Sequence, residues 1–171
     1  VQAVRQAAPV ARLIVDAQER WSEAHLAEFM PALRDCRVEL IEQPLPADAD
    51  EALAGLARSI PLCADESCRT LADLDRLDAK YQAITIKLDK AGGLTEALAL
   101  AAEATRRGLR IMIGGAMGTS LGIAPALLVA QQAQIADLDG PLHLAVDRGA
   151  RLRYDGSTIH PADPKLWGGP D

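Results

Sequence analysis

Asp16, Glu42, Asp65, Lys87, Asp137 and Asp139 have side chains that can hold a cation or move a proton, and their spacing is regular. Asp16, Glu42, Asp65, Lys87, Gly114 and Asp137 each close a short apolar run, at steps of 26, 23, 22, 27 and 23 residues. Three carboxylates converging from neighbouring strands, with no Cys or His among them, make a hard oxygen site. Mg²⁺ suits such a set, because it prefers octahedral oxygen coordination and leaves positions open for water and substrate. Without a cation the three carboxylates would repel one another and raise each other's pKa. A single acid after a strand can instead cap the next helix, but Glu is a poor N-cap and Pro44 follows Glu42 closely. Lys87 directly follows Ile84-Thr85-Ile86, and an ammonium at a strand end near a metal can shuttle protons. Its alternative is an ion pair with Asp89 or Asp65.

Short strands have to position these groups. Leu13–Val15, Val38–Ile41, Ile60–Cys63, Ala83–Ile86, Leu109–Ile113 and Gln134–Ala136 read as strands buried on both faces, as a parallel sheet demands. Helical segments lie between them. Ser22–Leu33 opens on Ser22 with His25 three residues on, which predicts a capping Ser but an incomplete capping box. Thr95–Arg107 predicts an inner face of Leu98, Ala101, Ala102 and Thr105 and a stop at Gly108. Ser120–Gln134 is apolar almost throughout, with Pro125 marking its first turn or a kink. Arg151–Tyr154, an Asp155-Gly156 turn and Thr158-Ile159 predict a terminal hairpin.

The pattern is a βα repeat of about six units, in an α/β chain of 171 residues. A closed eight-unit barrel needs ~250 residues, so the chain is either an open doubly wound sheet or the later part of a barrel. In an open sheet the functional residues gather at one switch point, whereas in a barrel every strand end faces one mouth. The spread of Asp16, Glu42, Asp65, Lys87 and Asp137 over five strand ends favours the barrel. Residues 1–147 are expected to form its later βα units, and 148–171 a hairpin and tail packing back on it.

Composition narrows the function. The chain is 49% hydrophobic and carries a net charge of −6, with no basic block to grip a phosphate backbone, so nucleic acid is not an expected partner. No apolar run reaches the roughly 20 residues of a membrane helix. Cys36, Cys63 and Cys68 have no metal-binding spacing and fit a reducing cytoplasm. Gly114–Ser120 is Gly-rich but has neither a P-loop ending nor a dinucleotide fingerprint. His25, His143 and His160 are isolated, and read as surface or packing residues.

Leu13-Ile14-Val15-Asp16-Ala17, Ile41-Glu42-Gln43-Pro44, Cys63-Ala64-Asp65-Glu66-Ser67, Ile86-Lys87-Leu88-Asp89-Lys90-Ala91-Gly92-Gly93 and Asp137-Leu138-Asp139-Gly140-Pro141 resemble the enolase superfamily. Within it they resemble the muconate-lactonizing subgroup and, most closely, its dipeptide epimerases, over about Leu13 to Trp167. The resemblance implies a (β/α)₈ TIM-type barrel in which Asp16, Glu42 and Asp65 bind Mg²⁺. The metal then holds the substrate carboxylate and stabilises the enediolate formed when the α-proton leaves. Lys87 would be one of two acid/base lysines on opposite faces of the α-carbon. Asp137 and Asp139 would bind the free α-ammonium of a small dipeptide, as two carboxylates suit a primary ammonium. The implied activity is epimerisation of L-Ala-D/L-Glu or a related dipeptide by 1,1-proton transfer.

The chain departs from the family pattern twice. Gln18 stands where family members usually carry Asn. The partner lysine belongs to a Lys-x-Lys motif some 25 residues before the first ligand, whereas 15 residues precede Asp16 here. The chain is therefore expected to be a fragment that needs an N-terminal portion supplying two barrel strands, a capping domain and that lysine. Homo-oligomers are common among such barrels. The rival readings are a sister activity on the same metal and lysines (N-acylamino acid racemase, o-succinylbenzoate synthase or cycloisomerase), a noncatalytic metal-binding module, and a doubly wound nucleotide-binding domain.

Overall fold

The computed structural model describes residues 1–57 and 59–169. The chain divides into two compact units, Val1–Thr85 and Ile86–Asp171. The tail expected over 148–171 ends on residues 170 and 171, which lie outside the described residues.

The first unit runs α1 (Gln2–Ala7), β1 (Leu13–Asp16), α2 (Glu23–Asp35), β2 (Val38–Glu42), β3 (Leu62–Ala64) and β4 (Ala83–Ile86), the last straddling the unit boundary. Short 3₁₀ turns at Asp50–Leu53 and Leu71–Arg76 precede β3 and β4. All three pairings, β1 with β2, β2 with β3 and β3 with β4, are parallel. Strands thus add in chain order without reversing direction, the winding of a barrel segment and not of a doubly wound sheet. The interior is aliphatic: Leu40, Ile41, Leu62 and Ile84 are fully buried, each such side chain contributing about 1.5–3 kcal/mol.

Within α2 the cap is complete, against expectation. The Ser22 hydroxyl accepts from the His25 N–H at 3.2 Å, and Nδ1 of His25 accepts from the Ser22 N–H at 3.3 Å. A neutral imidazole nitrogen thus does the work of the usual Glu or Gln. The His25 ring also stacks on Phe29, with centroids 5.6 Å apart.

The second unit contains α3 (Leu88–Ala91), α4 (Leu94–Arg106), β5 (Arg110–Gly114), α5 (Ser120–Ile123), α6 (Ala126–Ala130), β6 (Ile135–Asp137) and the antiparallel hairpin β7 (Tyr154–Asp155) and β8 (Thr158–Ile159). Strands β5 and β6 are parallel. The buried face of α4 is Ala97, Leu100, Ala101 and Ala104, with Ala102 and Thr105 exposed. The expected face was therefore rotated by about one residue; small Ala side chains on both flanks blur where the apolar stripe is centred. Gly108 has φ +76° and accommodates the left-handed turn that ends the helix. The long helix expected over Ser120–Gln134 is two short ones. Pro125 caps the second, since its ring offers no N–H to continue the first. The hairpin forms as expected, with Gly156 at φ +56° in its turn. Leu166 is buried in a 3₁₀ turn, Pro164–Trp167.

Candidate active site

Register puts Asp16 and Glu42 on one face. Asp16 and Glu42 are paired across β1 and β2, Glu42 and Cys63 across β2 and β3, and Cys63 and Ala83 across β3 and β4. Paired residues of a parallel sheet point the same way, and so do residues two apart along a strand. Asp16, Glu42, Cys63 and Thr85 therefore share a side of the sheet, and Asp65 lies just past the end of β3. A register shift between Leu13 and Ile14 brings Asp16 level with Glu42.

Glu42 and Asp65 are each 3% exposed, while Asp16 is exposed. Thr85 Oγ1 donates to Glu42 Oε1 at 2.6 Å and lies 3.3 Å from Cys63 Sγ. Oδ1 of Asp16 accepts from the Gln18 N–H at 2.9 Å, closing a tight turn. Among the described residues, no three His, Cys, Asp or Glu side chains are gathered closely enough to hold a metal. The donor chemistry still fits a hard divalent cation: three carboxylates, all oxygen, at the ends of three successive strands.

Backbone ties between the loops fix these strand ends. Ala17 donates to the Glu42 carbonyl at 3.0 Å, Glu19 to the Gln43 carbonyl at 2.8 Å, and Gln43 to the Cys63 carbonyl at 2.9 Å. Glu19 Oε1 also accepts from the Ala47 N–H at 2.8 Å. Gln43, at φ +33° and fully buried, holds the segment after β3 through its side chain: Oε1 accepts from the Asp65 N–H at 2.8 Å and the Ser67 N–H at 3.1 Å. Behind it, Lys80 Nζ donates to Asp50 Oδ1 and Glu51 Oε1, both at 2.7 Å. Burial pulls the Lys80 pKa down, but its bonds to Asp50 and Glu51 outweigh that and leave it raised. Burial also pushes the Tyr81 phenol well above its ordinary value.

In the second unit, Lys87 follows β4 with extended backbone (φ −123°, ψ 129°) and is half-buried. Asp137 ends β6 in register with Gly114, and both Asp137 and Asp139 are exposed. Nε2 of His143 lies 3.2 Å from Asp139 Oδ2, one helical turn away. The backbone between Asp137 and Asp139 is held by Tyr154, whose hydroxyl donates to the Leu138 carbonyl at 2.7 Å. The glycines here serve close packing. A Cβ on Gly140 would lie 3.1 Å from the Ala116 carbonyl, and one on Gly115 would meet Ile123 Cδ1 at 2.6 Å. A cavity of about 200 Å³ opens between this Gly-rich loop, Leu88 and Ala126. Asp147 accepts from both the Ser120 hydroxyl and the Ser120 N–H, so a distant carboxylate caps α5; the hydroxyl bond first, then the N–H bond, holds its pKa below the ordinary value.

Thr85, Gln43 and Ser120 were not assigned roles on sequence grounds. Each is a polar residue at a buried position, and such residues need partners. Thr85 stands alone among apolar neighbours in Ala83–Ile86, which was the available signal.

Residues 1–161 match the family Enolase C-terminal domain-like. The chain is 49% identical to N-acetyl-D-glutamate racemase of Pseudoalteromonas sp., over 98% of this chain and 53% of that protein. It is 48% identical to L-Ala-D/L-Glu epimerase of Escherichia coli (strain K12), over 92% of this chain and 49% of that one. A solved enolase family member from Agrobacterium tumefaciens, with homology to dipeptide epimerases and with sodium and L-Ala-L-Glu bound, is 53% identical. It superposes with a TM-score of 0.94 over 98% of this chain and 51% of its own. The chain spans about half the length of the curated relatives it matches. Its fold is accordingly an incomplete (β/α)₈ barrel, as expected. By its strand order, its motifs and the match over residues 1–161, the chain belongs to the enolase C-terminal domain-like family.

Proposed function

We propose that the complete protein is a Mg²⁺-dependent epimerase of small dipeptides of the L-Ala-D/L-Glu type, working in the cytoplasm. The observation that carries this reading is the pairing of Asp16 with Glu42 at the ends of β1 and β2, with Asp65 just past the end of β3, the next parallel strand. Mg²⁺ held there supplies positive charge that binds a substrate carboxylate and lowers the cost of negative charge developing beside it. Asp16, Glu42 and Asp65 are its ligands, and the Thr85 hydroxyl holds one Glu42 oxygen in place. Lys87 Nζ moves the α-proton: as a neutral amine it accepts the proton, and as an ammonium it returns one. Inversion needs a second carrier on the opposite face, assigned to the family's Lys-x-Lys motif. Asp137 and Asp139 receive the free α-ammonium of the dipeptide. Cys36, Cys63 and Cys68 are buried, which fits a reducing compartment, and no described helix is long and apolar enough to cross a membrane.

A second reading is favoured by the 49% identity to an N-acetyl-D-glutamate racemase: the same proton transfer on an amino acid whose amine is acylated. Incubation of the complete protein with Mg²⁺ in D₂O, followed by proton NMR, separates the two. L-Ala-L-Glu is expected to take up deuterium at the glutamyl α-carbon, and Lys87→Met to stop its inversion to the D-epimer. Asp137→Ala should slow exchange of dipeptides only. Exchange of N-acetylglutamate with no dipeptide exchanged selects the second reading, and exchange of neither overturns both.

A further inference from the structure

The Gln43 side chain links two proposed metal ligands. It follows Glu42 in the chain and its Oε1 accepts from the Asp65 N–H at 2.8 Å. An amide can be placed either way round, and only one orientation presents oxygen to that N–H. The choice is made on both sides of the amide. Gln43 Nε2 donates at 2.9 Å to the Leu45 carbonyl, which can only accept, while Oε1 faces the Asp65 and Ser67 N–H groups, which can only donate. Nε2 also lies 2.8 Å from Ser67 Oγ and 3.1 Å from Tyr81 OH, two hydroxyls 3.3 Å apart. Behind them the Asp50 carboxylate, with its side chain 4% exposed, accepts from the Ser67 hydroxyl at 2.6 Å and from the Tyr81 hydroxyl at 3.0 Å.

We infer that Gln43 is a positioning residue for the metal ligand Asp65, oriented by the Leu45 carbonyl and backed by the buried Asp50 carboxylate. The inference rests on the proposed Mg²⁺ site. In that chain of bonds, backbone groups decide how the amide lies, the Asp50 cluster packs behind it, and the amide holds the backbone from which Asp65 projects. Gln43 at φ +33°, where an L-residue is strained, fits a position held by these side-chain bonds rather than by backbone preference.

The test is Mg²⁺ titration by calorimetry on the metal-stripped complete protein, with apo melting temperature measured beside it. Gln43→Leu is expected to weaken Mg²⁺ binding about 10- to 100-fold, as loss of an outer-shell partner does. Asp50→Asn is expected to weaken it less, because it loosens the cluster behind Gln43 while the Leu45 carbonyl and the Asp65 and Ser67 N–H groups still hold the amide. Leu74→Ala, a buried core truncation in the same unit, should lower the melting temperature and leave Mg²⁺ affinity unchanged. Should Gln43→Leu fail to fold, Asp50→Asn carries the comparison. Unchanged affinity in both variants, with affinity lost in Asp65→Asn, overturns the positioning role alone. Unchanged affinity in Asp65→Asn overturns the metal reading beneath it.

Discussion

The hydroxyl of Thr85 donates a 2.6 Å hydrogen bond to Oε1 of Glu42, from a strand two places away in the sheet. Both residues are buried, so the bond fixes one carboxylate oxygen where water cannot replace the donor. A hydrogen bond to a charged group contributes about 1.5–3 kcal/mol, and a lost partner leaves the desolvation cost behind. Thr85→Val keeps the shape and removes the donor. It is expected to destabilise the complete protein by about that amount in urea denaturation, and Thr85→Ser to retain most of the stability.

Gln18 has φ +47°, in the left-handed region that costs most L-residues about 1–2 kcal/mol and that Asn tolerates better. An Asn, the residue that the resemblance implies at this place, would suit the backbone seen here. Gln18 is exposed and its N–H donates to Asp16, so substitution leaves that bond intact. Gln18→Asn is expected to raise stability by about 0.5–1 kcal/mol, read as a higher melting temperature.

Asp147 gives the second unit an acid sensitivity. Its folded pKa is depressed, first by the Ser120 hydroxyl and then by the Ser120 N–H. A depressed carboxylate favours the folded state fully above its unfolded pKa of about 3.9, and that contribution is lost as pH falls through the lower folded value. Asp147→Asn should therefore be less stable than the parent at pH 7, with the gap in melting temperature narrowing below about pH 4. A gap that stays constant from pH 7 to pH 3 would contradict the role.

The strands were legible because each is a short apolar run ended by a polar group, and all six strand regions were recovered with ends shifted by a residue or two. The winding was legible too, since candidate residues spread over five strand ends fit a barrel better than a switch point. Less legible was whatever depends on side chains meeting across the fold. His25 completing the Ser22 cap follows from one ring nitrogen's position, which residue type alone does not announce. Pro125 was expected to mark the first turn or a kink of one helix and instead begins a second, because its ring has no N–H to continue the first. The Gln43 network joins residues up to 38 positions apart, so no local pattern could reveal it.

Calorimetric titration of Mg²⁺ into the metal-stripped complete protein, compared with Asp16→Asn, Glu42→Gln and Asp65→Asn variants, addresses the metal centre most directly. One divalent site per chain is expected in the parent, with affinity reduced at least about tenfold by each substitution and proton exchange lost with it. Unaltered Mg²⁺ affinity in all three variants would contradict the assignment of these carboxylates as its ligands.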